Sequence, residues 1–166
     1  MTSEPIAERP YMPGYGLEGA TKPPGEAMPW SRVQQLLESA RNYWVCTVRP
    51  DGRPHTVPVW ALWMDGRIFF STGPRTRKAK NMAANPQVVV HVEVEDAAII
   101  VEGRAEEITD REVMERFAAA YGPKYDWPVD VGFLAANAFI AVRPRTILTF
   151  AENLGDTATR WRFPAA

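Results

Sequence analysis

Four cations fall within six residues in the segment Ser71-Thr72-Gly73-Pro74-Arg75-Thr76-Arg77-Lys78-Ala79-Lys80-Asn81-Met82. Gly73-Pro74 predicts the start of a short helix, with Pro74 suited to its first turn, that runs to about Ala84 and stops before Asn85-Pro86. Arg75, Arg77, Lys78 and Lys80 then occupy its first two turns. That is the positive end of the helix dipole, where each cation is unfavourable by ~0.3 to 1 kcal/mol. An anion reverses the sign. Free first-turn amides, the hydroxyls of Ser71 and Thr72 and the basic side chains could together cradle a phosphate. A solvated basic face is the alternative, and the position at a strand-to-helix junction favours the phosphate.

The second candidate is Pro54-His55-Thr56-Val57-Pro58-Val59-Trp60, an extended run in which two prolines withhold N–H donors, so one side of the strand must be open or bulged. Its remaining backbone groups could bond the carbonyls and ring nitrogens of a planar heterocycle while apolar side chains pack on a face. An edge strand carrying core aromatics is the competing reading. His55 and His91 are the only histidines, without acidic or cysteine partners at ligand spacing, so no metal site is expected. No G-x-S-x-G or H-E-x-x-H string occurs, and no carboxylates stand apart as an acid–base pair. Any catalysis must be carried by a cofactor.

The elements around these segments are mostly strands. Ser31 and Gln34 form a capping box that predicts a helix over 31–41, with Val33, Leu36, Leu37 and Ala40 on its apolar face. Tyr43 to Val48 and Arg53 to Trp63 flank Pro50-Asp51-Gly52 as a hairpin, and Asp65-Gly66 leads to a third strand, Arg67 to Thr72. Gln87 to Val94 and Ala97 to Ile108 add two more. Thr109 and Glu112 predict a capped helix over 110–121 that ends at Gly122. An irregular aromatic stretch follows, and Ala138 to Arg143 and Thr146 to Ala151 read as closing strands around Pro144. Hairpin-linked strands with helices only as insertions predict a mainly β fold, a six- to seven-stranded antiparallel split β-barrel. Residues 30–151 form its cofactor-binding domain. Pro/Gly-rich residues 1–29 read as an arm, from which Tyr11, Met12, Tyr15 and Leu17 could pack on the domain or a partner, and 152–166 as a tail.

A chain of 166 residues, 46% hydrophobic and 23% charged, matches one globular domain. Its net charge of -1 gives no general attraction to nucleic acid or an anionic membrane. Cys46, the single cysteine, sits in an apolar setting that favours an inert thiol. Charges of both signs near the N-terminus and the lack of a long apolar run point to a cytoplasmic protein.

The Pro-Asp-Gly turn, Arg53-Pro54-His55 with Pro58-Val59-Trp60, and Ser71 through Asn81 to Asn85-Pro86 resemble the pyridoxamine phosphate oxidase-like split-barrel superfamily. Within it, the flavin/deazaflavin oxidoreductases of actinobacterial type, which use coenzyme F420, look most similar. The resemblance covers roughly residues 30–150. It implies a homodimer with cofactor at the subunit interface, the tricyclic ring along the second strand and the phosphate at the basic helix start. Thr56, Val57, Pro58 and Val59, with Trp60 beside them, would line the ring, and Ser71 and Thr72 the linker. Arg75, Arg77 and Lys78 would hold the phosphate, followed by Lys80 and Asn81, with Tyr125 and Trp127 near a substrate pocket. The tail Arg160-Trp161-Arg162-Phe163 departs from the segment that holds pyridoxal phosphate in the phosphate-oxidase branch, so that activity is not implied. The implied function is hydride transfer from reduced F420 to a small unsaturated or conjugated acceptor. An FMN-dependent oxidoreductase and a non-catalytic flavin or deazaflavin carrier are the alternatives.

Overall fold

The structure, a computed structural model, describes residues 5–15, 17, 27–152 and 157–163. In chain order the elements are β1 (Ile6–Glu8), α1 (Trp30–Ser39), β2 (Tyr43–Val48), β3 (Pro54–Val59), β4 (Leu62–Met64), β5 (Arg67–Thr72), α2 (Arg77–Ala84), β6 (Gln87–Val94), β7 (Ala97–Glu107), α3 (Arg111–Tyr125), α4 (Val131–Ala135), β8 (Ala138–Phe150) and β9 (Thr159–Arg162). Every strand pairing is antiparallel. The sheet runs β3-β2-β6-β7-β8, and β8 continues through β5 to β4. Because β4 follows β3 after only Trp60 and Ala61, the chain itself joins the two ends of this order. The result is a mainly β, antiparallel fold of the expected split-barrel class, with β9 and β1 added along β8.

Alternation dictates the core. Tyr43 and Val45 of β2, Val88, Val90 and Val92 of β6, and Ile99 and Val101 of β7 are buried on the face that receives Val33, Leu36 and Leu37 of α1. A second cluster lies across β4, β5 and β8. There Leu62, Phe69, Phe139 and Ala141 meet Met114 and Phe117 of α3 and Leu134 of α4.

Several local expectations are corrected. α1 starts at Trp30 behind Pro29, whose carbonyl accepts from the amides of Arg32 and Val33; Ser31 makes no side-chain cap. Trp30 packs against Trp63, Trp161 and Phe163, so tertiary contact sets the helix start. α3 is capped by Asp110, which accepts from the amides of Glu112 and Val113, and not by Thr109. It also runs past Gly122 and through Pro123 to a left-handed cap at Asp126. The predicted run from Arg53 to Trp63 is broken at Trp60-Ala61. The two closing strands are one 13-residue strand, β8. The register skips Arg145 opposite Glu102 and Gly103, so Pro144 is absorbed by a bulge. In the arm, Leu17 is buried while Tyr11 and Tyr15 are exposed.

Candidate functional site

α2 begins at Arg77, three residues beyond the Pro74 start that its sequence suggests. Gly73 to Thr76 form a turn closed by the Thr76 amide on the Gly73 carbonyl, 3.1 Å. The Thr76 hydroxyl then caps the helix, accepting from Ala79 N at 3.4 Å and standing 3.2 Å from Thr72 Oγ1. Arg75 therefore belongs to the turn, and Arg77, Lys78 and Lys80 to the first turn of the helix. Pro74 is the more conspicuous start signal and hides the true cap; a threonine three residues ahead of Ala79 is the signal that identifies it.

First-turn amides, those of Arg77 and Lys78 among them, have no intrahelical partner. Among the described residues none of Arg75, Arg77, Lys78 and Lys80 forms an ion pair, whereas Arg53, Arg111, Arg116 and Arg160 each meet a carboxylate. Lys78 is half-buried, and burial pushes its pKa below the ordinary lysine value with nothing of opposite charge to restore it. Two buried oxygens nearby in the chain, Ser71 Oγ and Asn81 Oδ1, lack any hydrogen-bond partner. The Ser71 hydroxyl, which can donate, and the uncompensated cations fit a polyanionic ligand, whereas Asn81 Oδ1, an acceptor on a fully buried side chain, offers an anion nothing.

Asn81 lies on the inner side of α2. Its Nδ2 donates to Thr47 Oγ1 at 2.9 Å, and that hydroxyl is 3.4 Å from His55 Nδ1. Asn81 and Thr47 thus tie the basic helix to β2 and, through the hairpin, to β3. Nothing in the local sequence signals this role for Thr47.

β3 carries the second candidate segment at a sheet edge. Among the described residues its only partner strand is β2, with Cys46 opposite Thr56 and Trp44 opposite Pro58. Thr56 and Pro58 are exposed, Val57 is half-buried and Val59 is buried among the core residues. The unpaired side of β3 and its two prolines match the incomplete ladder expected from sequence. Cys46 is half-buried, 2.8 Å from the Thr56 hydroxyl.

Tyr125 and Trp127, expected to act together, are placed differently. Trp127 is 60% exposed, while Tyr125 is 3% exposed. The Tyr125 hydroxyl accepts from the Ala61 amide at 2.9 Å and lies 2.8 Å from the Ala61 carbonyl and 2.9 Å from that of Arg41. Lys124 adds bonds to the Ala61 carbonyl, 3.1 Å, and to the Tyr43 hydroxyl, 3.2 Å. These side chains replace a neighbouring strand at the β3–β4 break. Among the described residues no group of three metal-ligating side chains stands together, and no helix is long and apolar enough to cross a membrane.

Burial lowers the Lys124 pKa to about 8, partly offset by the charge of Glu38. The unfolded chain therefore keeps this proton to higher pH than the native protein, so between about pH 8 and ~10.4 stability contributed here rises with pH. Relative to Lys124→Met, the wild type is expected to gain of order 1 kcal/mol from about pH 7 to about pH 10, after allowance for solvent screening of a half-exposed group. Urea unfolding of both proteins across that range checks it. Tyr125, whose pKa burial raises to about 12, and Tyr43, raised further, reverse the trend at higher pH in both proteins alike.

The architecture is shared with solved structures. A conserved hypothetical protein from Mycobacterium tuberculosis superposes with a TM-score of 0.69 at 22% identity, over 78% of this chain and 88% of that one. An F420 reductase superposes with a TM-score of 0.57 at 28% identity, over 69% and 94% of the two chains. A FAD-binding protein from Mesorhizobium loti gives 0.61 at 20%, over 82% and 96%. No curated protein matches the chain in sequence. Residues 30–153 match the pyridoxamine 5'-phosphate oxidase family. That span holds the whole barrel ring, the basic start of α2 and the open edge of β3, and on it the chain belongs to the pyridoxamine 5'-phosphate oxidase family.

Proposed function

We propose that the protein is an oxidoreductase that uses reduced coenzyme F420 to pass hydride to a small unsaturated or conjugated organic acceptor. The observation that carries this reading is the set of cations, Arg75, Arg77, Lys78 and Lys80, that start α2 with no ion pair among the described residues, close in the chain to the Ser71 hydroxyl, which is buried without a partner. A ligand with several negative charges, such as the phosphate and glutamate tail of a deazaflavin, compensates such a cluster better than one phosphate. The 28% identity to an F420 reductase supports the same choice.

When bound, the deazaflavin would supply a hydride at its C5. The protein's part is to bind and orient. Arg75, Arg77 and Lys78 would hold the phosphate, with Lys80 at the rim and Thr72 at the strand end. The open edge of β3, from Thr56 to Val59, would give backbone groups and apolar surface to the ring. Asn81 would hold the helix and the hairpin in register through Thr47.

A homodimer belongs to the same proposal. Trp44 and Val48 stand 40% and 39% exposed on the outer face of β2. Trp44 stacks on His91 across the strands, leaving an apolar surface that a second copy would cover. Cofactor bound along β3 would then lie at the subunit boundary.

Titration of the purified protein with F420 and, separately, with FMN, followed by fluorescence, tests the reading. Micromolar or tighter F420 binding with weak FMN binding is expected. Preference for FMN would make it a flavin oxidoreductase, and binding of neither would remove the cofactor argument. Lys78→Ala is expected to weaken F420 binding by about 1.5 to 3 kcal/mol, the range for a charged hydrogen bond. Unchanged affinity would take Lys78 out of the site. Turnover of an acceptor by the reduced complex would separate a reductase from a carrier.

A further inference from the structure

The break between β3 and β4 holds a side-chain cluster just beyond the Thr56 to Val59 edge assigned to the ring. Trp60 follows directly on the open-edged strand, and its indole lies parallel to the Tyr125 ring, centroids 4.8 Å apart and planes 9° from parallel. Tyr125 is itself fixed through its hydroxyl, which accepts from Ala61 N and has the carbonyls of Ala61 and Arg41 to share its one proton. Trp60 is nevertheless 37% exposed. A rigidly backed indole that stays more than a third exposed can serve as a stacking platform.

Arg41 gives the platform a charge. Its guanidinium carbon is 5.4 Å from the Trp60 centroid and 5.8 Å from that of Tyr125. Near-equal distances to two stacked rings place the cation beside the stack, because a cation on the outer face of Trp60 would lie much farther from Tyr125. The guanidinium therefore flanks the indole without covering it. Arg41 is exposed and forms no ion pair among the described residues. Lys124 is a second cation at this corner, its ammonium 5.3 Å from the Tyr125 centroid. Glu38, whose charge acts on Lys124 and Tyr43, is the opposing acid, so the corner keeps an excess positive charge.

We propose that the Trp60 face and the Arg41 guanidinium form a binding site for a planar conjugated carboxylate. The aromatic body stacks on the indole, and the carboxylate at its edge meets the free donors of Arg41. The site adjoins β3, so such an acid would approach a ring lying along Thr56 to Val59. Its role as the hydride acceptor rests on the proposed function, whereas its binding does not.

The test uses 2-naphthoate and its neutral counterpart 2-naphthamide, titrated calorimetrically into the full-length protein with and without F420. Naphthoate is expected to bind about tenfold or more tighter than naphthamide, as for one charge-assisted bond. Arg41→Gln, at an exposed position, should erase that difference while F420 affinity stays within about twofold. Trp60→Leu should weaken both probes. Equal wild-type affinity for the two probes, or an unchanged naphthoate affinity in Arg41→Gln, would overturn the site. If the probes behave as expected while neither F420 nor FMN binds, the carboxylate site stands and the proposed reductase falls. Cofactor binding without discrimination between the probes leaves the reductase standing and removes the carboxylate site.

Discussion

Replacing Gly103 by alanine is expected to destabilise the barrel by about 3 kcal/mol, at the upper end of the range for an overpacked position. A Cβ at this glycine would stand 2.4 Å from the Arg143 carbonyl oxygen, 3.0 Å from Val142 Cγ1 and 3.1 Å from the Arg143 carbonyl carbon. Two of these atoms are backbone, so no rotamer change relieves the contact. The strand carrying them, β8, is held by β7 along its length, by β5 on one half and by β9 on the other. A strand glycine is ordinarily worth replacing, since alanine is better by roughly 0.5 to 1 kcal/mol in unfolded-state entropy. The sign of the change thus reports which effect wins. Urea unfolding followed by fluorescence gives the answer directly: a lower midpoint with an unchanged slope is the expected result. An unchanged or higher midpoint would mean that β8 yields freely at the bulge.

The same bulge shows where the sequence stops being legible. Tyr43–Val48, Arg67–Thr72 and Gln87–Val94 can be read with their observed bounds because alternation and turn residues are local signals. Pro144 is also a local signal, and it suggests two strands. Only the partner strand tells otherwise, since the extra residue Arg145 is accommodated opposite Gly103, more than forty positions earlier in the chain. α3 makes the same point. Gly122-Pro123 reads as a helix end, yet the helix continues because Lys124 and Tyr125 are bonded to Tyr43 and Ala61, 81 and 64 positions away.

The candidate site divides along the same line. The cations at the start of α2 can be found by a dipole argument that needs only neighbouring residues. The true cap, Thr76, moves Arg75 out of the helix without moving it from the cluster. Thr47 and Asn81 meet across 34 positions, and the corner made by Arg41, Trp60 and Tyr125 joins the α1–β2 link, the β3–β4 break and the end of α3. Neither can be read from spacing. Tyr125 stands out in the sequence for its aromatic ring, but its hydroxyl fixes the backbone at Ala61 and its ring supports Trp60.

A protein carrying Arg77→Ala and Lys78→Ala together is expected to lose F420 affinity by about 3 to 6 kcal/mol and to become more stable. Each side chain would contribute one charged hydrogen bond of about 1.5 to 3 kcal/mol, and as chain neighbours on one anion they need not add linearly. The stability change has the opposite sign. Without ligand these cations sit at the positive end of α2 with no ion pair among the described residues, and burial already disfavours the Lys78 charge. Their removal relieves ~0.3 to 1 kcal/mol each from the dipole. Alanine is also the best residue for a helix interior. Loss of binding through misfolding would lower the melting temperature along with affinity, so a raised melting temperature with abolished binding separates a site residue from a structural one. The melting temperature is to be measured without F420, because bound ligand would itself stabilise the wild type. Affinity of the wild type should also fall steeply with salt, and the double variant should show a flatter dependence, since fewer charges then meet the anion. If the variant binds as the wild type does, the basic turn is a solvated surface and its unpaired cations have no ligand to explain them.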